Sequence, residues 1–201
     1  MERTRRLCQF ISLDGCPVID KYLKINHLNV SREACLDFEK FIDYVLKKNE
    51  ILNIIAKSTQ KREIIRERHI IDSAQAIEFI DLNSDSVHDL GSGAGFPGII
   101  LGIILKNRGN KVKMKLFEKS YHKSVFLREV VRKLNLDIEI IQKDIFEIAE
   151  LNTGTIIARA FKPMPVMLKL VNEKFVEYKN LILFMGKKGR EASEESKKNW
   201  I

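Results

Sequence analysis

The spacing of hydrophobic positions changes character near residue 85. Before it they recur at helical intervals, with Phe38, Phe41, Ile42 and Val45 at i, i+3, i+4 and i+7. Ser31 can cap that helix and Glu33 falls in its first turn. A second helix is expected from Ser58 or Thr59 towards Phe79. After residue 85, short continuous apolar runs take over at 87–90, 114–117, 138–141, 155–158 and 181–185. Runs of that length read as buried strands. Helical patterns intervene after Pro97 and over 119–134, the latter with Leu127, Val130, Val131 and Leu134 on one face. Strands alternating with helices imply parallel pairing through right-handed crossovers. The expected architecture is α/β: a doubly wound, mainly parallel sheet with an N-terminal helical cap. The expected boundaries are an arm over 1–26, broken by Gly15 and Pro17, a cap over 27–84 and the sheet domain over 85–201. The tail from Lys187 to Ile201 is polar and charged.

The stretch VHDLGSGAGFPG, residues 87–98, joins the first strand to a helix through Gly91, Gly93 and Gly95. Alternate glycines permit positive φ and let a ligand approach the backbone closely. Proline at 97 suits a first helical turn. This is a nucleotide-type site at the carboxyl end of a strand, although a plain turn would use glycine too. A dinucleotide fingerprint wants G-x-G-x-x-G, and Phe96 stands where its last glycine belongs. G-x-G-x-G with Asp89 two residues ahead instead resembles motif I of the class I S-adenosylmethionine (SAM) methyltransferases, a resemblance that implies a SAM-binding domain over 85–201.

Charge narrows the partner. The 201 residues carry 35 Lys+Arg against 27 Asp+Glu, a net +8. A small acidic metabolite does not require that excess, whereas a polyanion is favoured by it. Cys8, Cys16 and Cys35 are odd in number and lack C-x-x-C spacing, which points to a reducing compartment. With His27 they offer no pair at zinc-ligand spacing, so no metal is expected. No apolar run nears the roughly 18 residues of a membrane span. MERTRRLCQF lacks the apolar core of a signal peptide. A cytoplasmic protein, without membrane contact and monomeric, is expected.

Several side chains could carry chemistry. Glu118 ends the second strand, where an acid can accept hydrogen bonds from ribose hydroxyls. Asp144, Ile145 and Phe146 follow the third strand, in the loop that would meet an adenine. Lys119, Lys123, Arg128, Arg132 and Lys133 face a single Glu129 along one helix. Such a series is either a phosphate-facing surface or a solvated helix face. Arg159 and Lys162 follow the fourth strand, next to the crevice of this topology. The (N/D)-P-P-(Y/F) motif of exocyclic-amine methyltransferases and a Pro-Cys nucleophile are both missing there.

RHIIDS at 68–73, DLGSGAGFPG at 89–98, FEKSYHKSVFLREV at 117–130 and ARAF at 158–161 occur in that order, after LNIIAKST at 52–59. Together they resemble the RsmG family, also called glucose-inhibited division protein B, over roughly residues 41–185. The resemblance implies methyl transfer from SAM to N7 of a guanine in 16S ribosomal RNA of the small subunit. By family matching, Gly91, Phe96, Ile145, Phe146 and Arg159 line the cofactor site, beside Asp89, Gly93, Gly95, Glu118 and Asp144 already read from the motif and the strand ends. His69 and Asp72 are placed at the substrate mouth, a packing and capping role being the alternative. Lys123, Arg128, Arg132 and Lys162 are the candidates for RNA contact. Guanine N7 has a lone pair and no proton to remove, so no catalytic base is expected. The chain departs from the family pattern at Phe184-Met185-Gly186-Lys187-Lys188-Gly189 and ends at Ile201. The family would continue there into a hairpin completing seven strands. C-terminal strands are therefore expected to be missing, and the alternative reading is a non-catalytic RNA-binding remnant.

Overall fold

The computed structural model describes residues 20–186. Residues 1–19, with Cys8 and Cys16, and the tail from Lys187 lie outside the described residues. The expected lack of strands beyond the fifth also falls outside them. Residues 20–26 of the expected arm are not a loose extension. Two short 3₁₀ turns occupy Asp20–Leu28 and bury Tyr22, Ile25 and Leu28.

Helix α1, Arg32–Asn49, starts where its cap predicts, with Ser31 Oγ accepting from the Ala34 N–H at 3.1 Å. Its stripe of Phe38, Phe41, Ile42 and Val45 is fully buried, each side chain contributing roughly 1.5–3 kcal/mol by leaving water. The second expected helix is not regular. A 3₁₀ turn at Lys57–Thr59 is followed by α2, Arg62–Ile65, a π-helical segment at Arg66–Ile71, α3, Asp72–Gln75, and a 3₁₀ turn at Ala76–Phe79. Among the carboxylates near this stretch, Glu39 of α1 is the anchor. It accepts from Tyr22 Oη at 2.9 Å, Arg62 Nη1 at 2.9 Å and Arg66 Nε at 2.9 Å.

Strands β1 (Ser86–Leu90), β2 (Lys113–Phe117), β3 (Ile138–Ile141), β5 (Thr155–Arg159) and β7 (Asn180–Phe184) form one parallel sheet in the order β3-β2-β1-β5-β7. The chain winds outward from β1 in both directions, so the switch point lies between β1 and β5, at their carboxyl ends. Helix α4, Gly98–Asn107, is buried from Gly98 through Leu105, as a helix sandwiched between layers must be. Helix α5, Tyr121–Lys133, buries Phe126, Leu127 and Val130. Helix α6, Met164–Lys174, and the two-stranded pair β4 (Leu151–Asn152) with β6 (Phe175–Glu177) have no counterpart in the sequence-based expectation. A single apolar cluster joins α1, the 62–79 stretch, α4 and the sheet. The cap thus shares the core of the sheet domain. Among the described residues, no helix is long and apolar enough to cross a membrane.

Candidate functional site

A cavity of about 470 Å³ opens at the switch point. Its sheet-side wall comes from the segments after β1, β2, β3 and β5; its other wall comes from Ile54, Ile55, Ala56, Thr59 and His69. The first loop is bent by Gly91 and Gly93, both at positive φ. A Cβ at Gly93 would meet only the Gly91 carbonyl, at 3.8 Å, so its backbone is open to whatever fills the cavity. A Cβ at Gly91 would instead strike the Phe161 ring. Backbone N–H groups of Gly91 and Ser92 both donate to the Phe117 carbonyl, at 2.9 and 3.1 Å, locking the loop onto β2.

Glu118 is buried and divides its carboxylate between two backbone donors, Gly93 N–H at 2.9 Å and Ser120 N–H at 2.7 Å. Each oxygen keeps a second lone pair for a ligand hydroxyl. Asp144 Oδ1 accepts from the Phe146 N–H at 3.2 Å, capping the short turn Ile145–Glu147. Its Oδ2 lies 3.4 Å from Lys119 Nζ. That turn presents Ile145 and Phe146 to the cavity. Phe146 stacks on Phe161 with centroids 6.2 Å apart, and Lys162 Nζ sits 5.7 Å from the Phe146 ring centre.

Arg159 joins the two walls. Its guanidinium donates to the Ser73 hydroxyl at 3.2 Å, the His69 carbonyl at 3.4 Å and the Arg68 carbonyl, and pairs with Asp72 at 3.7 Å. The motifs RHIIDS and ARAF are therefore one structural joint. Ala160, in the left-handed region at φ +48°, turns the chain immediately after it. Strained non-glycine residues of this kind gather at functional sites.

The structure redistributes the expected site residues. Gly91, Gly93, Phe96, Glu118, Asp144, Ile145, Phe146, Arg159, His69, Lys123 and Lys162 all line the cavity. Asp89, Gly95, Asp72, Arg128 and Arg132 do not. Asp89 is buried beneath the loop, accepting from the Gly98 N–H at 3.1 Å. Burial pushes its carboxyl up to about 7. A Cβ on Gly98 would come within 2.6 Å of that carboxylate, so Asp89 and Gly98 fit only each other. Gly95, at φ +96°, serves packing: a Cβ there would lie 2.5 Å from Ile99 Cγ1 and 3.0 Å from Leu127. Asp72 pairs with Arg159, and Arg128 donates to Gln142 Oε1 at 3.3 Å.

Sequence reasoning passed over Lys119, Lys143, Phe161 and the segment 54–56 as lining residues. The signal for the segment was Asn49, whose Oδ1 accepts from Ile54 and Ile55 N–H at 2.7 and 2.9 Å and folds it inward. Lysines 119, 123, 143 and 162 with Arg159 outnumber the carboxylates Glu118 and Asp144, so the cavity carries net positive charge.

An all-parallel sheet with this order, a glycine loop after β1 and an acid after β2 define a class I SAM-dependent methyltransferase. A family model described as rRNA small subunit methyltransferase G (GidB) matches residues 34–201. The chain is 52% identical over 183 residues to ribosomal RNA small subunit methyltransferase G of Pelagibacter ubique, covering 91% of this chain and 86% of that protein. It is 33% identical to the protein of that name from Dinoroseobacter shibae, over 82% and 83% of the two chains. With the Rickettsia felis protein it shares 32% identity, over 87% and 86%. The chain belongs to the rRNA small subunit methyltransferase G family. These relatives favour the enzyme over the non-catalytic remnant.

Proposed function

We propose that this protein transfers a methyl group from SAM to N7 of a guanine in 16S ribosomal RNA, acting as a monomer in the cytoplasm. The observation that carries the reading is the joint between Gly93 and Glu118 at the switch-point cavity, with Arg159 on the same wall. SAM, when bound, supplies an electrophilic methyl group on a sulfonium.

The residues present suit that cofactor. Gly93 offers an uncovered backbone, Glu118 offers free lone pairs for ribose hydroxyls, and Ile145 with Phe146 offers an apolar face for a purine. Asp144, beside them, supplies an acceptor for an exocyclic amine. Gly91 and Phe96 complete the wall, while Asp89 and Gly95 act from below, one holding the start of α4 and the other letting the loop pack.

Guanine N7 attacks with an in-plane lone pair and loses no proton, so the protein has only to align donor and acceptor. Positioning of that kind is worth several orders of magnitude. The chain's groups meet the requirement: both cavity carboxylates are engaged by backbone donors. Lys119, Lys123, Lys143 and Lys162 at the cavity attract the phosphate backbone of an RNA and bring its base to the opening. Arg128 and Arg132, exposed on α5, extend this charge away from the cavity.

Purified protein incubated with methyl-labelled SAM and small subunits lacking the modification tests the reading. Incorporation of label into 16S RNA as 7-methylguanosine is expected. No incorporation, or label at another atom, would overturn it.

A further inference from the structure

Among the described residues, four buried side-chain polar atoms have no hydrogen-bond partner: Asn49 Nδ2, His88 Nδ1 and both ring nitrogens of His69. Of these three residues only His69 lines the cavity. A buried donor or acceptor left unmade costs roughly 1–3 kcal/mol. Neither ring nitrogen of His69 is satisfied by the protein, so a ligand that reaches the ring would relieve that cost.

The ring is held where it is by independent contacts. Phe96 stacks on it with centroids 4.8 Å apart and planes 24° from parallel, and Phe96 is itself braced by Phe41 at 5.1 Å. The His69 carbonyl is taken by Arg159. The π-helical segment Arg66–Ile71 carries the residue, and single π turns of this sort commonly mark functional positions. His69 is thus fixed in place by its face and its backbone, while its two ring nitrogens are buried without a protein partner.

The side of the cavity decides which ligand meets them. Expected cofactor contacts come from the carboxyl ends of β1, β2, β3 and β5, all on the sheet. His69 comes instead from the cap, on the segment Arg66–Ile71, whose Arg68 and His69 carbonyls are held by Arg159. Resting on the function proposed above, we propose that His69 hydrogen-bonds the acceptor guanine, donating a ring N–H to O6, the atom next to N7 on the same base edge. Guanine presents O6 and N7 there as acceptors. Burial, with Arg159 and Arg68 nearby, pushes the imidazole down to about 4. A neutral donor adds no positive charge beside a sulfonium and a base that becomes cationic on methylation.

Three measurements on the full chain test this. Wild-type transfer to unmodified small subunits comes first; its absence would remove the proposed function without touching His69. Given transfer, His69→Phe keeps the stack on Phe96 and loses both nitrogens. Its kcat is expected to fall roughly 100-fold, with SAM affinity by calorimetry and thermal midpoint held. His69→Gln restores a donor and should recover part of the rate. A wild-type rate in His69→Phe, or SAM affinity falling in step with rate, would overturn the proposal. Should the Phe variant fold poorly, histidine-¹⁵N spectra of the wild type with S-adenosylhomocysteine settle the matter. The His69 ring signals are expected to move on adding unmodified 16S RNA, and unmoved signals count against the contact.

Discussion

Arg159 donates a 3.2 Å hydrogen bond to the Ser73 hydroxyl across 86 residues of chain. It also reaches the carbonyls of His69 and Arg68. Hydrogen bonds from a charged donor contribute about 1.5–3 kcal/mol each when their loss strands a buried acceptor. Arg159→Met is expected to lower unfolding free energy by about 2–3 kcal/mol and to speed amide exchange over 66–75. Arg159→Lys should not rescue it, since an ammonium cannot span three acceptors as a planar fork does. Urea titration with hydrogen-exchange mass spectrometry measures both. Unchanged exchange in that segment would show that the cap is held elsewhere.

Two of the loop glycines should separate by phenotype. Gly93 has room for a side chain that points into the cavity, so Gly93→Asp is expected to abolish SAM binding while shifting the thermal midpoint by only a few degrees. Gly95 has none, with Ile99 Cγ1 at 2.5 Å from the added Cβ and φ at +96°. Gly95→Ala should cost stability, about 2–4 kcal/mol from overpacking and backbone strain together. Calorimetry against thermal melting distinguishes the two, and a stable Gly95→Ala protein would contradict the packing role.

Acid should act through buried groups of opposite sense. His69 and His88 are both held near 4 by burial, helped by Arg159 for His69 and by Lys115 for His88. Folded, they stay neutral while the unfolded chain takes up protons below about pH 6.5, so stability falls as pH drops from there towards 4. Asp89, held near 7, keeps a proton that the unfolded chain releases, so its contribution grows as pH falls through the same window. Asp89 therefore offsets one histidine. Asp89→Asn should make the acid-side decline steeper than wild type, as read from urea midpoints between about pH 7 and 4. Parallel declines would mean that Asp89 is ionised in the folded protein.

Replacing Lys123, Arg128 and Arg132 by glutamine removes one cavity lysine and two exposed arginines. RNA affinity should fall, and its dependence on log salt should flatten by roughly 2–3 units if all three meet phosphates. SAM affinity should hold. A salt slope that does not move would make the arginines an ordinary solvated face.

Much of this was legible in the sequence because parallel strands buried on both faces read as unbroken apolar runs. All five main strands lie within two residues of the runs that announced them. Helix α1 was equally plain from Ser31 and its stripe. The π segment was not, because Arg66–Ile71 has the periodicity of an ordinary helix, and its contacts with Glu39 and Arg159 come from distant parts of the chain. Helix α6 was missed because Pro163 and Pro165 resemble breakers, although proline is tolerated in a first turn. At the site, residue types were readable and their directions were not. Asp89 and Gly95 belong to the right motif, yet β1 points the carboxylate under the loop and Ile99 closes over the glycine. The free nitrogens of His69 depend on Phe96 covering a ring 27 residues earlier, which no local pattern encodes.

Because every strand of the main sheet runs the same way, the walls of the cavity are gathered from segments between Ile54 and Lys162. No contiguous fragment owns the site. A ligand that occupies it binds the assembled domain and not the separated pieces, and so raises the stability of the whole by mass action. Melting temperature in the presence of cofactor then measures folding of β1 through β5 as a unit. A lesion in α1, outside the cavity lining, would lower that melting temperature with and without cofactor alike.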